Sequence, residues 1–304
     1  MNHPALPDSA DAITTQRLAR RRFLAQAGVL SLGGVAALSA GARVAFAKEH
    51  DSAGEMAQES AQGQDTVKEI FTAALIAEDL ASTFYYNALV GSVIQDPNLA
   101  GPGGTATNVS SAGDAGNVAY IRAALTQELQ HAALFRSLLG IPSAAQDPVQ
   151  TFYFPAGTFD SLAAFTGLLD ALENAFIGAY LNAIQEFAAK SANAHRGDGA
   201  WREKADRAYS KEQLDYFAKV SASIMGIEAE HRVLGRVISG TDPANNLNYE
   251  STDGLNAVYN GPHSAVAALT PFLTSSTGPG FTLETVTMHQ ADVSLPIVGG
   301  PPAY

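Results

Sequence analysis

Two tetrapeptides decide the reading of this chain: Glu128-Leu129-Gln130-His131 and Glu228-Ala229-Glu230-His231. Each sets an acid and an imidazole three residues apart, on one face of a helix. The copies lie 100 residues apart and share further positions, Leu134 with Leu234, Arg136 with Arg236 and Gly140 with Gly240. Apolar residues at helical spacing surround both. Ile121, Ala124, Leu125, Ala132, Phe135 and Leu139 predict a helix over about 115–139, closed by Gly140-Ile141-Pro142. Leu214, Phe217, Ile224, Leu234 and Ile238 predict another, opened by the capping-box sequence Ser210-Lys211-Glu212-Gln213 and ending near Gly240.

Two more helical stripes precede these, one in each half. Thr66-Val67-Lys68-Glu69 has capping-box form, and Phe71, Leu75, Glu78, Ser82, Tyr85 and Leu89 predict a helix over about 66–94. Leu162, Phe165, Leu169, Glu173, Phe176, Tyr180, Ile184 and Phe187 predict one over about 160–191. These two match at an offset of 95, which pairs Glu78 with Glu173, Tyr85 with Tyr180, Asn87 with Asn182 and Ala88 with Ala183. The chain reads as two related helical hairpins. Residues 95–113 are a Gly/Pro/Asn/Ser-rich loop, and the stretch from Gly140 to about Asp160 carries Pro148, Phe152-Tyr153-Phe154 and Pro155. A connection of that length can travel the length of a bundle, joining helices that run the same way. The fold expected over 65–240 is an all-α four-helix bundle with a long crossover between its second and third helices.

Each stripe carries a glutamate at mid-length, flanked one turn away by Leu, Phe, Ile or Ala. An ionised carboxylate buried without a partner is very costly, and no Lys or Arg stands on the same stripes nearby. Something cationic is missing from the sequence. Two lone glutamates plus two Glu-x-x-His pairs resemble the ligand set of the ferritin-like family of di-iron and di-manganese carboxylate bundles. Within it, the surrounding sequence is similar to the exported group that includes desiccation-related proteins.

The resemblance implies two divalent ions, Fe or Mn, held by Glu78, Glu128, His131, Glu173, Glu228 and His231, with one or two glutamates bridging. Four glutamates and two neutral imidazoles balance the charge of two such ions. It implies O₂ or H₂O₂ as the small-molecule substrate of an oxidoreductase of catalase, peroxidase or oxidase type. The alternative is a non-catalytic protein in which metal only holds the helices together. Tyr85 and Tyr180, two turns beyond the lone glutamates on the same faces, either serve the ligands as hydrogen-bond or electron-transfer partners or are core tyrosines. Glu230 points away from Glu228 and reads as a surface charge. Arg136 and Arg236 are candidates to pair with carboxylates at the end of the bundle, while His50, His195, His263 and His289 are expected in exposed loops or linkers.

Composition closes other routes. The chain of 304 residues has 18 Lys+Arg against 30 Asp+Glu, so a basic nucleic-acid footprint is missing. It has no cysteine, which removes thiolate zinc sites, cysteine-held iron–sulfur clusters and the rubredoxin centre of rubrerythrin-type peroxidases. Long loops and the extension beyond the bundle argue against assembly into a storage cage.

Outside the bundle, Arg20-Arg21-Arg22-Phe23-Leu24, a small-residue apolar run over about 29–42 and Ala45-Phe46-Ala47 resemble a bacterial twin-arginine export signal over 1–47. The apolar run is shorter than the roughly 20 residues of a spanning helix, so no stable span is expected after cleavage. The expected destination is the periplasm or the cell surface, and the route, which carries folded proteins, allows metal loading in the cytoplasm. Residues 48–64 read as a linker. Residues 241–304 read as an irregular extension with β-prone pieces such as Phe281–Val286, packing on the bundle or mediating homo-oligomer formation.

Overall fold

The computed structural model describes residues 65–96, 99, 117–194, 206, 208–241, 244–245 and 265–295. The expected signal and linker, most of the first loop, and His50, His195 and His263 lie outside the described residues. Four long helices dominate: α1 (Val67–Val90), α2 (Asn117–Leu139), α3 (Leu162–Ala194) and α4 (Lys211–Ile238). Both expected capping boxes form. In α1 the Glu69 amide donates to Thr66 Oγ1 at 3.1 Å and the Thr66 amide donates to Glu69 Oε2 at 2.6 Å. Ser210 and Gln213 make the same exchange at the start of α4. The first helix is shorter than the expected 66–94, although it spans the whole apolar stripe to Leu89, because α1 stops before Gly91 and Ser92–Gln95 tighten into a 3₁₀ turn.

The repeated glycines end α2 and α4 alike. Gly140 and Gly240 take φ of +69° and +76°, and the amides that follow them, Ile141 and Thr241, each donate to a carbonyl five residues back, Arg136 and Arg236, at 2.9 Å. This left-handed cap is cheap only for glycine.

Two apolar clusters fill the bundle, one toward each end. The first gathers Leu80, Phe84, Leu89, Leu125, Phe165 and Leu172; the second gathers Phe71, Leu75, Phe135, Phe187, Leu214 and Phe217. Phe84 stacks on Phe165 at 4.7 Å, and Phe71 meets Phe217 at 4.9 Å and Phe187 at 5.3 Å. Each such ring removed from water contributes about 1.5–3 kcal/mol. Helices α2 and α3 both run from the first cluster to the second, while α1 and α4 run back. The residues between Leu139 and Leu162 therefore make the long crossover.

The C-terminal segment is more regular than the sequence suggests. It forms α5 (Ala265–Leu269), strand β2 (Gly280–Thr282) and α6 (Leu283–Val293), and β2 pairs antiparallel with β1 (Thr151–Tyr153) of the crossover, Phe281 opposite Phe152. The β-prone piece expected over 281–286 is a strand only as far as Thr282, whose hydroxyl accepts from the Thr285 amide and starts a helix. His289 accordingly sits on the exposed face of α6, not in a loop, with Nδ1 3.8 Å from Asp292. Leu283, Val286 and Val293 join the first apolar cluster. Arg122 of α2 clamps the end of α6, its Nε donating to the Val293 carbonyl at 2.7 Å and Nη2 to that of Ser294 at 3.1 Å, a cation on a helix C-terminus.

Candidate metal centre

Between the two apolar clusters lies one polar layer. Glu78, Glu128, Glu173 and Glu228 come one from each long helix, and His131 and His231 reach the same layer from the next turns of α2 and α4. All four carboxylates are at most 2% exposed. The six residues fall into two overlapping sets, Glu78–Glu128–His131–Glu228 and Glu128–Glu173–Glu228–His231, each with ligand-type atoms within 4.8 Å of one another. Glu128 and Glu228 belong to both sets, while Glu78 and Glu173 stand at opposite ends.

The imidazoles follow the same division. His131 Nδ1 lies 3.1 Å from Glu78 Oε2 and 3.5 Å from both Glu128 Oε2 and Glu228 Oε1. His231 Nδ1 lies 2.9 Å from Glu128 Oε1, 3.4 Å from Glu228 Oε2 and 3.9 Å from Glu173 Oε1. The tyrosines cross over. Tyr85 of α1 donates its hydroxyl to Glu173 of α3 at 2.5 Å, and Tyr180 of α3 donates to Glu78 of α1. Both are thus partners of the end glutamates.

Burial pushes Glu78 and Glu173 well above the usual carboxylate range, against the pull of His131 and His231 respectively. Burial works the same way on Glu128, but the two histidines beside it outweigh burial and hold this carboxyl low. Burial would lower His131 and His231, yet the carboxylates around them win and raise both. Burial, together with the neighbouring acids, raises Tyr85 and Tyr180, so their hydroxyls keep their protons. The upward shifts of the two end glutamates and both histidines mark a layer short of positive charge.

Protons do not satisfy the layer. Both oxygens of Glu128, both of Glu228, Oε2 of Glu173 and Nδ1 of His231 are sealed from solvent without a hydrogen-bond partner. Buried polar atoms left in this way are rare in folded proteins. Among the described residues no Lys or Arg reaches the four glutamates; their ion pairs are with the two histidines. A set of carboxylate oxygens and imidazole nitrogens converging on one interior is compatible with binding metal ions, and Glu128 and Glu228 belong to both donor sets.

Around the layer stand residues that the sequence reading missed. Arg136 binds Asp79, next to Glu78 on α1, and Asp147 of the crossover, both at 2.6 Å. Arg236 holds Asp170 at 2.7 Å, and Arg232 donates to Asn174, next to Glu173, at 2.9 Å. The two arginines singled out in the sequence thus pair with acids on the elements carrying the end glutamates. Gln127 places its side-chain oxygen 2.8 Å from His231 Nε2. Only adjacency to a candidate ligand, Asp79 to Glu78 and Gln127 to Glu128, was there to mark them. Glu230 is exposed, as expected of a surface charge.

Residues 66–197 match the family model of the ferritin-like domain. The match takes in α1 to α3, with Glu78, Glu128, His131 and Glu173; Glu228 and His231 on α4 lie beyond it. Comparison with curated proteins and with solved structures finds no match. With α4 completing the layer that the matched helices begin, the chain is an all-α protein built on a ferritin-like helical bundle, whose buried carboxylate–histidine cluster is compatible with binding metal ions.

Proposed function

We propose that this chain is an exported dimetal carboxylate oxidoreductase acting on O₂ or hydrogen peroxide in oxidative or desiccation stress. The observation that carries the reading is the sharing of Glu128 and Glu228 between two four-residue clusters whose buried oxygens have no other partner. Glu78 with His131 and Glu173 with His231 would complete the two ends. Two Fe or Mn ions bound there would supply the redox chemistry on the oxidant.

The protein's own groups do the rest. Tyr85 and Tyr180 each hold a proton against one oxygen of an end glutamate, which fixes that carboxylate and places a donor at its edge. The phenylalanine and leucine layers on either side exclude water and keep the local dielectric low. A formal charge of -12 favours attraction of cations to the surface. Without cysteine the chain has no thiolate electron carrier, so a peroxidase or oxidase role needs a separate donor, and a catalase role needs none. Export by the twin-arginine route to the periplasm or cell surface, and association through residues 241–304, belong to the same proposal.

A second reading has its own support. Five of the six donors are at most 3% exposed and join all four helices, which also suits a metal that only staples the bundle of an envelope stress protein. Metal content per chain, measured by elemental mass spectrometry on protein exported from a host supplied with iron and manganese, tests both. About two ions per chain, with O₂ or peroxide turnover that is lost in folded Glu128→Ala, supports the enzyme. Two ions without turnover supports the staple. Metal-free protein with unchanged stability on metal addition overturns both.

A further inference from the structure

The two Glu-x-x-His helices differ at many positions, and one of those differences touches a histidine of the centre. The Gln127 side-chain oxygen lies 2.8 Å from His231 Nε2, and an amide oxygen can only accept, so this contact suits a proton on Nε2 and leaves Nδ1 as the ring nitrogen that faces Glu128 and Glu228. The shift of 100 residues that carries Glu128 onto Glu228 and His131 onto His231 carries Gln127 onto Ile227, which has nothing to accept with. His131 aims Nδ1 at Glu78, Glu128 and Glu228 in the same manner. Among the described residues, however, no protein acceptor meets its Nε2, and its side chain is 12% exposed against 3% for His231. One imidazole is locked in its ligating tautomer and orientation from outside, and its twin is not. A groove of about 650 Å³ between α2 and α4 reaches the outer edge of His231, but that edge is the one committed to Gln127.

We propose that the two ends of the centre are unequal metal sites. Glu128, Glu173, Glu228 and His231 take a divalent ion first and hold it; Glu78 and His131, with the same shared glutamates, take a second, exchangeable ion. Gln127 is the positioning residue that sets the difference. This rests on the dimetal reading and deepens it: one ion staples the bundle while the other, at the more exposed end, is the one open to exchange with solvent and oxidant. A partner on the outer nitrogen of a ligating histidine changes metal affinity about 10–100-fold, which sets the expected separation.

The test is titration of metal-stripped full chain with Mn²⁺ alone, counting free ion by electron paramagnetic resonance, beside thermal unfolding of each metal-free variant. Wild type should bind two ions in steps about 10–100-fold apart. Gln127→Leu should weaken the tighter step by about that factor and merge the two, whereas Gln127→Glu, which keeps an acceptor, should preserve them. Ile227→Gln should tighten the weaker step by giving His131 the partner it lacks. Two ions bound in wild type with both steps unmoved by Gln127→Leu overturns this inference and leaves the dimetal reading standing; binding of neither Mn²⁺ nor, in a parallel anaerobic titration, Fe²⁺ overturns both. If Gln127→Leu does not fold, an unmoved weaker step in Ile227→Gln overturns the inference by itself.

Discussion

Replacing Arg136 with methionine removes the one cation that Asp79 of α1 and Asp147 of the crossover share. Both acids lie within 2.6 Å of the guanidinium and are at most 2% exposed. Burial raises Asp79 well above its ordinary range despite Arg136, and raises Asp147 as well, so a carboxylate here depends on the guanidinium to hold its charge. Methionine preserves most of the volume but strands the carboxylate. Breaking a buried pair in this way costs about 3–5 kcal/mol, which for a domain of this size lowers the Tm by roughly 6–20 °C. The sign with pH is fixed. A buried acid with a raised folded-state pKa contributes stability below its unfolded pKa and loses it as pH rises, and removal of the arginine raises both acids further. The loss should therefore be small near pH 4 and largest at pH 8. Calorimetry across that range measures it, with Asp79→Asn and Asp147→Asn added to the methionine variant to recover most of the loss. A Tm drop under about 2 °C at pH 8, or one independent of pH, refutes the reasoning.

The shared and end glutamates should separate in metal stoichiometry: Glu128→Ala or Glu228→Ala loses both ions, while Glu78→Ala or Glu173→Ala retains one, read by elemental analysis of folded protein. The metal-free chain should become less stable as pH rises from 5 to 8, because Glu78, Glu173, His131 and His231 are all raised on folding and the folded state holds the extra protons. Mn²⁺ competes with those protons, so its stabilising shift in Tm should grow over the same interval; a metal-free Tm that rises with pH would contradict the cluster's electrostatics. Gly140→Ala and Gly240→Ala each force a left-handed φ on a residue with a Cβ and should cost about 1 kcal/mol, although neither Cβ meets a neighbour. Gly226→Ala, inside α4 with open space and no positive φ, should instead gain about 0.5–1 kcal/mol; urea midpoints compare the three.

What could be read from the sequence was whatever local chemistry makes expensive to misplace. A glutamate in mid-stripe is a contradiction that only a shared interior resolves, so Glu78, Glu128, Glu173 and Glu228 could be placed in one layer before any coordinates, and the structure brings them there with both histidines. The capping boxes at Thr66 and Ser210 and the glycine stops at 140 and 240 are equally local, and these helix ends fall within a few residues of expectation. The residues that went unread owe their role to contacts distant in sequence. Asp147 lies on the crossover and finds Arg136 only because the chain folds back past α2, and Gln127 meets His231 across 104 positions. An amide on a helix surface is common enough that nothing marks it beforehand. The C-terminal segment fails for a related reason. Its β-branched Thr and Val suggest strand, yet three residues suffice to pair with β1, after which the Thr282 cap and the buried positions of Leu283 and Val286 against the phenylalanine cluster favour a helix. Tertiary burial overrides propensity there, whereas in the metal layer tertiary burial is what made the propensity-breaking glutamates conspicuous. The asymmetry at Gln127 and Ile227 falls between these cases: both residues stand in plain view in a repeat, and only the distance to His231 tells which of them does anything.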